Sequence, residues 1–120
     1  MPTNLDWVRH HCMSMPHVTE SVQWGNDLVF KVGGKIFAAV AFEPSKVCLA
    51  FKCTPEEFDE LVERPDVIPA PYAARYHWVG LETSYALTRA ELAQRLSRSY
   101  DLVWERLTKK ARAALMSGKA

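Results

Sequence analysis

The sequence predicts an α+β domain, in which an antiparallel sheet of about five strands carries helices on one face. Three observations support this fold class. Two apolar, strand-forming runs meet at Gly33-Gly34, a pair that accommodates the positive φ angles of a two-residue hairpin. Four such runs are grouped along the chain with short turns between them, as in an antiparallel meander. An apolar stripe at helical spacing follows near the C-terminus, so a helix can cover one face of the sheet.

The N-terminal half is predicted to contain one helix and four strands. Asn4 can cap a helix over residues 5–13, and Met15-Pro16 ends it. Strands are predicted over residues 18–24, 28–32, 35–43 and 47–51, separated by segments of turn-forming residues. Alternation along the third of these strands places four side chains on one face: Ile36, Ala38, Val40 and Phe42.

A second helix and a fifth strand follow. Thr54 and Glu57 have the spacing of a capping box around Pro55, so a helix begins there, and Arg64-Pro65 ends it. The inner face of this helix is formed by Phe58, Leu61 and Val62. Residues 65–76 contain three prolines and no clear periodicity, which predicts a loop, and residues 77–81 are predicted to be the fifth strand.

The last helix begins at a second capping box, formed by Thr88 and Glu91. Apolar residues then recur at steps of three or four: Leu92, Leu96, Tyr100, Val103, Leu107, Ala111 and Ala114. Ser97 and Ser99 leave open whether one helix or two carry this stripe. If the first and last helices share one face of the sheet, Trp7 and the first four members of the stripe are expected to be largely buried.

Length and composition favour a single globular domain over residues 1–120. Net charge is only +1, but its distribution is uneven. Residues 89–120 hold eight Lys and Arg against three Asp and Glu, whereas residues 1–88 hold seven against eleven. The basic character therefore belongs to the C-terminal helix end and tail, at about 108–120. No signal peptide or membrane span is predicted, which favours a cytoplasmic protein.

Candidate catalytic and metal-binding groups form no known constellation. Cys12, Cys48 and Cys53 include no Cys-x-x-Cys pair and no neighbouring base, so free thiols are expected. His10 and His11 are adjacent on a helix, so their side chains point about 100° apart and cannot share a metal without outside ligands. The prediction is a non-enzymatic protein with no cofactor and no metal.

Two charged groupings remain as candidate binding surfaces. An acidic ridge on the second helix is a candidate for a metal or a protein partner, or it is simply a solvated face: Glu56, Glu57, Glu60 and Glu63. A basic and aromatic set is suited to neutralising phosphates and stacking on bases: Lys31, Lys35, Lys52, Arg75, His77 and Trp78. The alternative for the second set is that Trp78 packs in the core while the cations are solvated.

Several segments, in this order, resemble the MmcQ/YjbR family over about residues 5–115. They are Trp24-Gly25, Phe30-Lys31-Val32-Gly33-Gly34-Lys35-Ile36-Phe37-Ala38, Phe51-Lys52-Cys53-Thr54-Pro55-Glu56, Pro71-Tyr72, Arg75-Tyr76-His77-Trp78-Val79 and Ser99-Tyr100-Asp101-Leu102-Val103. The resemblance implies a small bacterial cytoplasmic protein with a CyaY-like (frataxin-like) fold. It also implies DNA binding through β-hairpin wings, and it supplies no catalytic residues.

These observations together predict a monomeric, non-enzymatic binding protein whose partner is double-stranded DNA. The six residues of the basic and aromatic set are its expected nucleic-acid contacts. The alternative is a frataxin-like module that binds a metal or a protein through the acidic second helix. No membrane association is expected.

Overall fold

The structure is a computed structural model that describes residues 5–23, 27–42, 46–71 and 73–117. The helices within these ranges are α1 (Leu5–Met13), α2 (Pro55–Leu61), α3 (Arg89–Arg106) and α4 (Lys109–Met116). The strands are β1 (Val18–Gln23), β2 (Asp27–Val32), β3 (Lys35–Ala41), β4 (Leu49–Lys52), β5 (Val67–Pro69) and β6 (Trp78–Leu81), and a 3-10 turn spans Ala74–Tyr76. The predicted helix cap Asn4 and the predicted strand ends Trp24 and Glu43 lie outside the described residues.

The strands form one antiparallel sheet in the order β1-β2-β3-β4-β6-β5. The first four make the predicted meander. β5 is an addition, because it lies in the segment predicted as a loop and pairs with β6 from Val67↔Leu81 to Pro69↔Val79. A strand of three residues is too short to show an alternation, and Pro69 argues against a strand. The sheet therefore has six strands, and the α+β class is confirmed.

Helices α1 and α3 pack side by side on one face of the sheet, as predicted. The first four members of the apolar stripe are buried there, with exposed fractions of 1% for Leu92, 0% for Leu96, 9% for Tyr100 and 5% for Val103. Trp7 is only half-buried, less than predicted, and it stacks on His11 with the ring centroids 5.4 Å apart. We call this side of the sheet the helix-covered face.

Helix α3 runs without a break through Ser97 and Ser99 and ends at Arg106. The interruption comes about two turns after Ser99. Leu107 has an extended backbone (ψ 147°), and Thr108 caps α4 by accepting a hydrogen bond from the Ala111 amide. Two helices therefore carry the stripe, which the sequence left open. Leu107 is buried at the junction between them, and Ala111 on α4 also packs against the core.

A β-bulge changes which side chains of β3 face the core. Phe30 pairs with Ala38, but Lys31 pairs with Ile36, so Phe37 is an extra residue in β3. The predicted face of Ile36, Ala38, Val40 and Phe42 is therefore wrong. Ile36 lies on the side opposite to Ala38, and Phe37 is fully buried in the core. A strict alternation cannot survive an inserted residue, because side chains on a strand repeat with a period of two.

The opposite side of the sheet carries no helix among the described residues, and we call it the open face. Register places these side chains on it: Thr19, Lys31, Ile36, Ala39, Ala50, Lys52, Trp78 and Gly80. The end of the sheet at the β2–β3 turn, the hairpin end, is also where β4 finishes and β6 begins. Most of the predicted contact residues belong to strands that meet at this end.

Candidate nucleic-acid interface

The two lysines of the β2–β3 hairpin lie at its tip and point to opposite sides. Lys31 is paired with Ile36 on the open face, whereas Lys35 is paired with Val32, which faces the helices. Gly33 and Gly34 form the turn with φ angles of 60° and 79°. Neither lysine forms a salt bridge with a described residue. The hairpin tip therefore presents one free cation on each side.

Lys52 ends β4 at the hairpin end and is held in place. Its Nζ donates a hydrogen bond of 2.8 Å to the carbonyl oxygen of Tyr76. Partial burial lowers the pKa of Lys52, and the neighbouring positive charge of Arg106 lowers it further. The end of α3 is therefore within electrostatic range of Lys52, and Arg106 is a second cation towards the hairpin end.

Arg75 and Tyr76 form an exposed pair beside Lys52. The Arg75 Nη2 donates a hydrogen bond of 2.8 Å to the Tyr76 hydroxyl. The guanidinium carbon also lies 4.8 Å from the centroid of the Tyr76 ring, in cation–π contact. Tyr76 is 52% exposed, so a cation and a flat aromatic ring are presented to solvent together. An exposed aromatic ring can stack on a base, and a cation beside it can neutralise a phosphate.

His77 and Trp78 do not join this pair. His77 has a left-handed backbone (φ 64°), and its ring packs edge-on against Phe58 with the centroids 5.7 Å apart. Its carbonyl accepts a hydrogen bond of 2.9 Å from the Cys53 amide. Trp78 lies opposite Lys52 on the open face and lines a cavity there, so its side chain is only partly buried.

The cations at the α3–α4 junction belong to the same surface, but they were not among the contact residues predicted from the sequence. Leu107 packs against Gly33 so closely that a Cβ on that glycine would lie 2.7 Å from Leu107 Cδ1. The junction is thereby brought to the hairpin tip, together with exposed Arg106, Lys109 and Lys110. The excess of positive charge after residue 89 was the available signal, but no local pattern indicates what Leu107 contacts.

The structure thus gathers seven cations from five segments at one end of the molecule. We call these residues the hairpin-end basic surface: Lys31, Lys35, Lys52, Arg75, Arg106, Lys109 and Lys110. Over residues 104–112 the sequence has four Lys and Arg against one acidic residue, Glu105. Five of the seven are exposed, and Lys31 and Lys52 are half-buried.

The acidic ridge of the second helix is less continuous than predicted. Helix α2 ends at Leu61, so Glu63 lies beyond it. Glu57 completes the capping box and also forms ion pairs with Arg95 (3.4 Å) and Arg98 (3.5 Å) of α3. Two of the four predicted glutamates, Glu56 and Glu60, remain as exposed acidic residues on α2.

The thiol groups are free, as predicted, and they are buried or half-buried. Burial raises the pKa of Cys12 to about 12 and that of Cys53 to about 12. Both thiols therefore stay protonated near neutral pH and are poor nucleophiles. Among the described residues, no group of three or more His, Cys, Asp and Glu is placed to hold a metal ion. Within the same ranges, no helix is both long and apolar enough to cross a bilayer.

Comparison with known proteins agrees with this architecture. The sequence model of one family, YjbR, matches residues 13–102. The crystal structure of Deinococcus radiodurans protein DR2400, whose family-model domain is DUF419, superposes with a TM-score of 0.81 at 28% sequence identity. That superposition covers 96% of this chain and 88% of the other. No curated protein matches the sequence. Because the family match covers most of its length, the chain belongs to the YjbR family.

Proposed function

We propose that the protein is a non-enzymatic, monomeric, cytoplasmic protein that binds double-stranded DNA through the hairpin-end basic surface. The observation that carries the proposal is the meeting of the β2–β3 hairpin with the α3–α4 junction, through the contact of Gly33 with Leu107. That contact places the most basic stretch of the sequence beside the two unpaired lysines of the hairpin. A CyaY-like arrangement, with the hairpin as a wing, suits this proposal.

The chemistry of this surface suits phosphates better than bases. Flexible lysines act as point charges, and they can follow the sugar-phosphate backbone without reading sequence. The surface contains no helix that places a row of hydrogen-bonding side chains in a basic frame, as recognition helices do. The Arg75–Tyr76 pair adds one ring for contact with an exposed base or sugar. We therefore expect binding that is mainly electrostatic and nearly independent of sequence.

The salt dependence of binding tests the proposal directly. If the surface neutralises about four to six phosphates, a plot of log K against log salt should have a slope of roughly −3.5 to −5.5. Replacing both Lys31 and Lys35 with alanine should make the slope shallower by about two units on any duplex sequence. Replacing Lys109 and Lys110 should do the same, because both pairs belong to one surface.

Lys46 provides the matched control for loss of a charge. It is exposed and precedes β4, at the end of the sheet away from the hairpin. Lys46→Ala should leave the slope unchanged, whereas Lys31→Ala should reduce it by about one unit. The proposal fails if duplex DNA does not bind at low salt. It also fails if Lys46→Ala weakens binding as much as Lys31→Ala does.

If DNA binding fails, the alternative surface to test is α2, where Glu56 and Glu60 are exposed. Titration with ferrous iron, followed through amide chemical shifts, would locate a metal there. Shifts concentrated on α2 would favour the frataxin-like function, and Glu56→Gln with Glu60→Gln should abolish them.

A further inference from the structure

The open face contains a depression, and the sequence explains why it is there. Three small residues lie side by side across the middle of the sheet, Ala39 on β3, Ala50 on β4 and Gly80 on β6. The space over Gly80 is filled by Val47, since a Cβ on this glycine would lie 2.9 Å from Val47 Cγ1. Ala39 and Ala50 both line a cavity on the open face, so the sheet itself forms its floor.

This cavity has a volume of about 760 Å³, within the range of small-molecule sites. Its two sides differ in chemistry. On the side nearer the hairpin end lie Ile36 and the indole of Trp78. On the other side lie Asp27, the first residue of β2, and Lys46, which precedes β4. The turn after β5 lines the cavity with small apolar residues, including Ala70.

The two charged side chains of this cavity are available to a ligand. Neither Asp27 nor Lys46 forms a salt bridge with the other or with any residue in the described ranges. Burial raises the pKa of Asp27, because the partly buried carboxylate has lost hydration. A cation placed beside it would recover that lost interaction, and the exposed ammonium group of Lys46 can pair with an anion.

We propose that this cavity binds a small zwitterionic molecule with a flat apolar body, of the class of the aromatic α-amino acids. The ammonium group of the ligand is bound by Asp27 and its carboxylate by Lys46. The apolar body lies over Ala39 and Ala50 and against Trp78, where ring stacking adds to burial. The site differs from the hairpin-end basic surface, and it does not depend on DNA binding.

L-tryptophan is a suitable probe, because analogues that each lack one charge are available. We expect saturable chemical-shift changes at Ile36, Ala39, Ala50 and the Trp78 indole N–H when the amino acid is added to the full chain. Tryptamine lacks the carboxylate and indole-3-propionate lacks the ammonium group. Each should bind at least about tenfold more weakly, because one charge-assisted hydrogen bond is lost.

Two substitutions test the roles given to Asp27 and Lys46. Asp27→Asn should weaken L-tryptophan binding at least about tenfold while leaving the affinity for indole-3-propionate little changed. Lys46→Met should have the complementary effect, with tryptamine affinity retained. Asp101→Asn, an exposed change on α3 and therefore on the helix-covered side of the sheet, should change none of these affinities.

Either of two results would overturn the proposal. Indole alone binding as tightly as L-tryptophan would mean that the charged side contributes nothing. An absence of shifts at the cavity residues near the solubility limit of the amino acid would mean that no such site exists. Lys46 is exposed and Asp27 is only half-buried, so a folded spectrum of each variant is expected and is the reference for the comparison.

Discussion

At the scale of single residues, Ser99 connects the helix layer to the sheet. Its side chain is polar and fully buried, with an exposed fraction of 0%. Among the residues that the structure describes, it is the only polar or charged one that is buried. Its hydroxyl donates a 2.6 Å hydrogen bond to the Phe37 carbonyl and accepts a 3.0 Å hydrogen bond from the Lys52 amide. Both partners lie just past the last β3–β4 pair, Ala38↔Phe51, so the hydroxyl bridges the two strands where their direct pairing stops.

Removal of this hydroxyl should destabilise the protein measurably. Ser99→Ala leaves a buried carbonyl and a buried amide without their partner, and we expect a loss of about 1–3 kcal/mol in the free energy of unfolding. Urea denaturation measures this loss. Ser14→Ala is the matched control, because the Ser14 hydroxyl donates to the His11 carbonyl at the surface and its removal should cost less than about 0.5 kcal/mol. Equal effects of the two substitutions would contradict the bridging role.

His11 couples stability to pH. Its Nε2 lies 3.1 Å from the Ala93 carbonyl oxygen, so the neutral ring donates to α3. Burial lowers the pKa of His11 below its ordinary value of 6.5. The unfolded chain therefore takes up a proton at a higher pH than the folded chain does. The contribution of the neutral ring to the free energy of unfolding is fully present above about pH 6.5. It is lost as the pH falls through the lowered pKa of His11.

This coupling predicts a specific pH effect. Between about pH 7.5 and about pH 5.5 the free energy of unfolding should fall more for the native chain than for His11→Gln, which cannot be protonated. Urea denaturation at the two pH values measures the difference. In an NMR titration, the imidazole signals of His11 should change with a midpoint below pH 6.5. A parallel loss of stability in both proteins would show that other groups cause the pH dependence.

At the scale of secondary-structure elements, the β2–β3 hairpin and the α3–α4 junction stabilise each other. Gly33 and Gly34 both have positive φ angles, but their surroundings differ. The space beside Gly33 is filled by Leu107, whereas nothing lies within 4 Å of the position of a Cβ on Gly34. Substitution of Gly34 therefore measures the cost of backbone strain alone, whereas substitution of Gly33 adds the cost of disturbing the junction.

Alanine substitutions at these glycines should have unequal effects. Gly34→Ala should cost about 1–2 kcal/mol, the ordinary price of a left-handed backbone at a residue with a Cβ. Gly33→Ala should cost a further 1–3 kcal/mol or so, because Leu107 must move out of its packed position. Urea denaturation of the two variants measures the difference. Equal destabilisation would mean that Leu107 is free to rearrange.

At the scale of the whole molecule, one core joins the helices to the sheet. Buried side chains from α1, α3 and the strands form a single cluster that includes Val8, Phe37, Phe51 and Leu96. The tryptophans sample different parts of the structure, since Trp7 and Trp104 pack against this core while Trp78 lies on the open face. A domain with one core is expected to unfold as one unit.

The expected outcome is a single unfolding transition for every probe. Far-UV circular dichroism and tryptophan fluorescence should give the same urea midpoint. The midpoint should also be the same by both probes in Trp78→Phe, where the contribution of Trp78 to the fluorescence is removed. Separate midpoints would show that the open face or the helix layer melts independently.

The sequence by itself determined the local structure and the fold class. Capping boxes at Thr54 and Thr88, the Gly33-Gly34 turn and the stripe from Leu92 to Val103 are confirmed. Each of these features depends on contacts within a few residues or on one periodicity, and both can be recognised in a single sequence. The grouping of strands and helices then indicated α+β.

Only the tertiary structure decided how distant segments meet. The bridging hydroxyl of Ser99 and the contact between Gly33 and Leu107 join residues that are far apart in the chain, and the bulge at Phe37 depends on the register of β3 against β2. The same contacts assembled the hairpin-end basic surface and left the depression over Ala39 and Ala50. The physical reason is that strand register and helix packing are settled by the fit of many side chains at once, whereas periodicity carries information about only one element at a time.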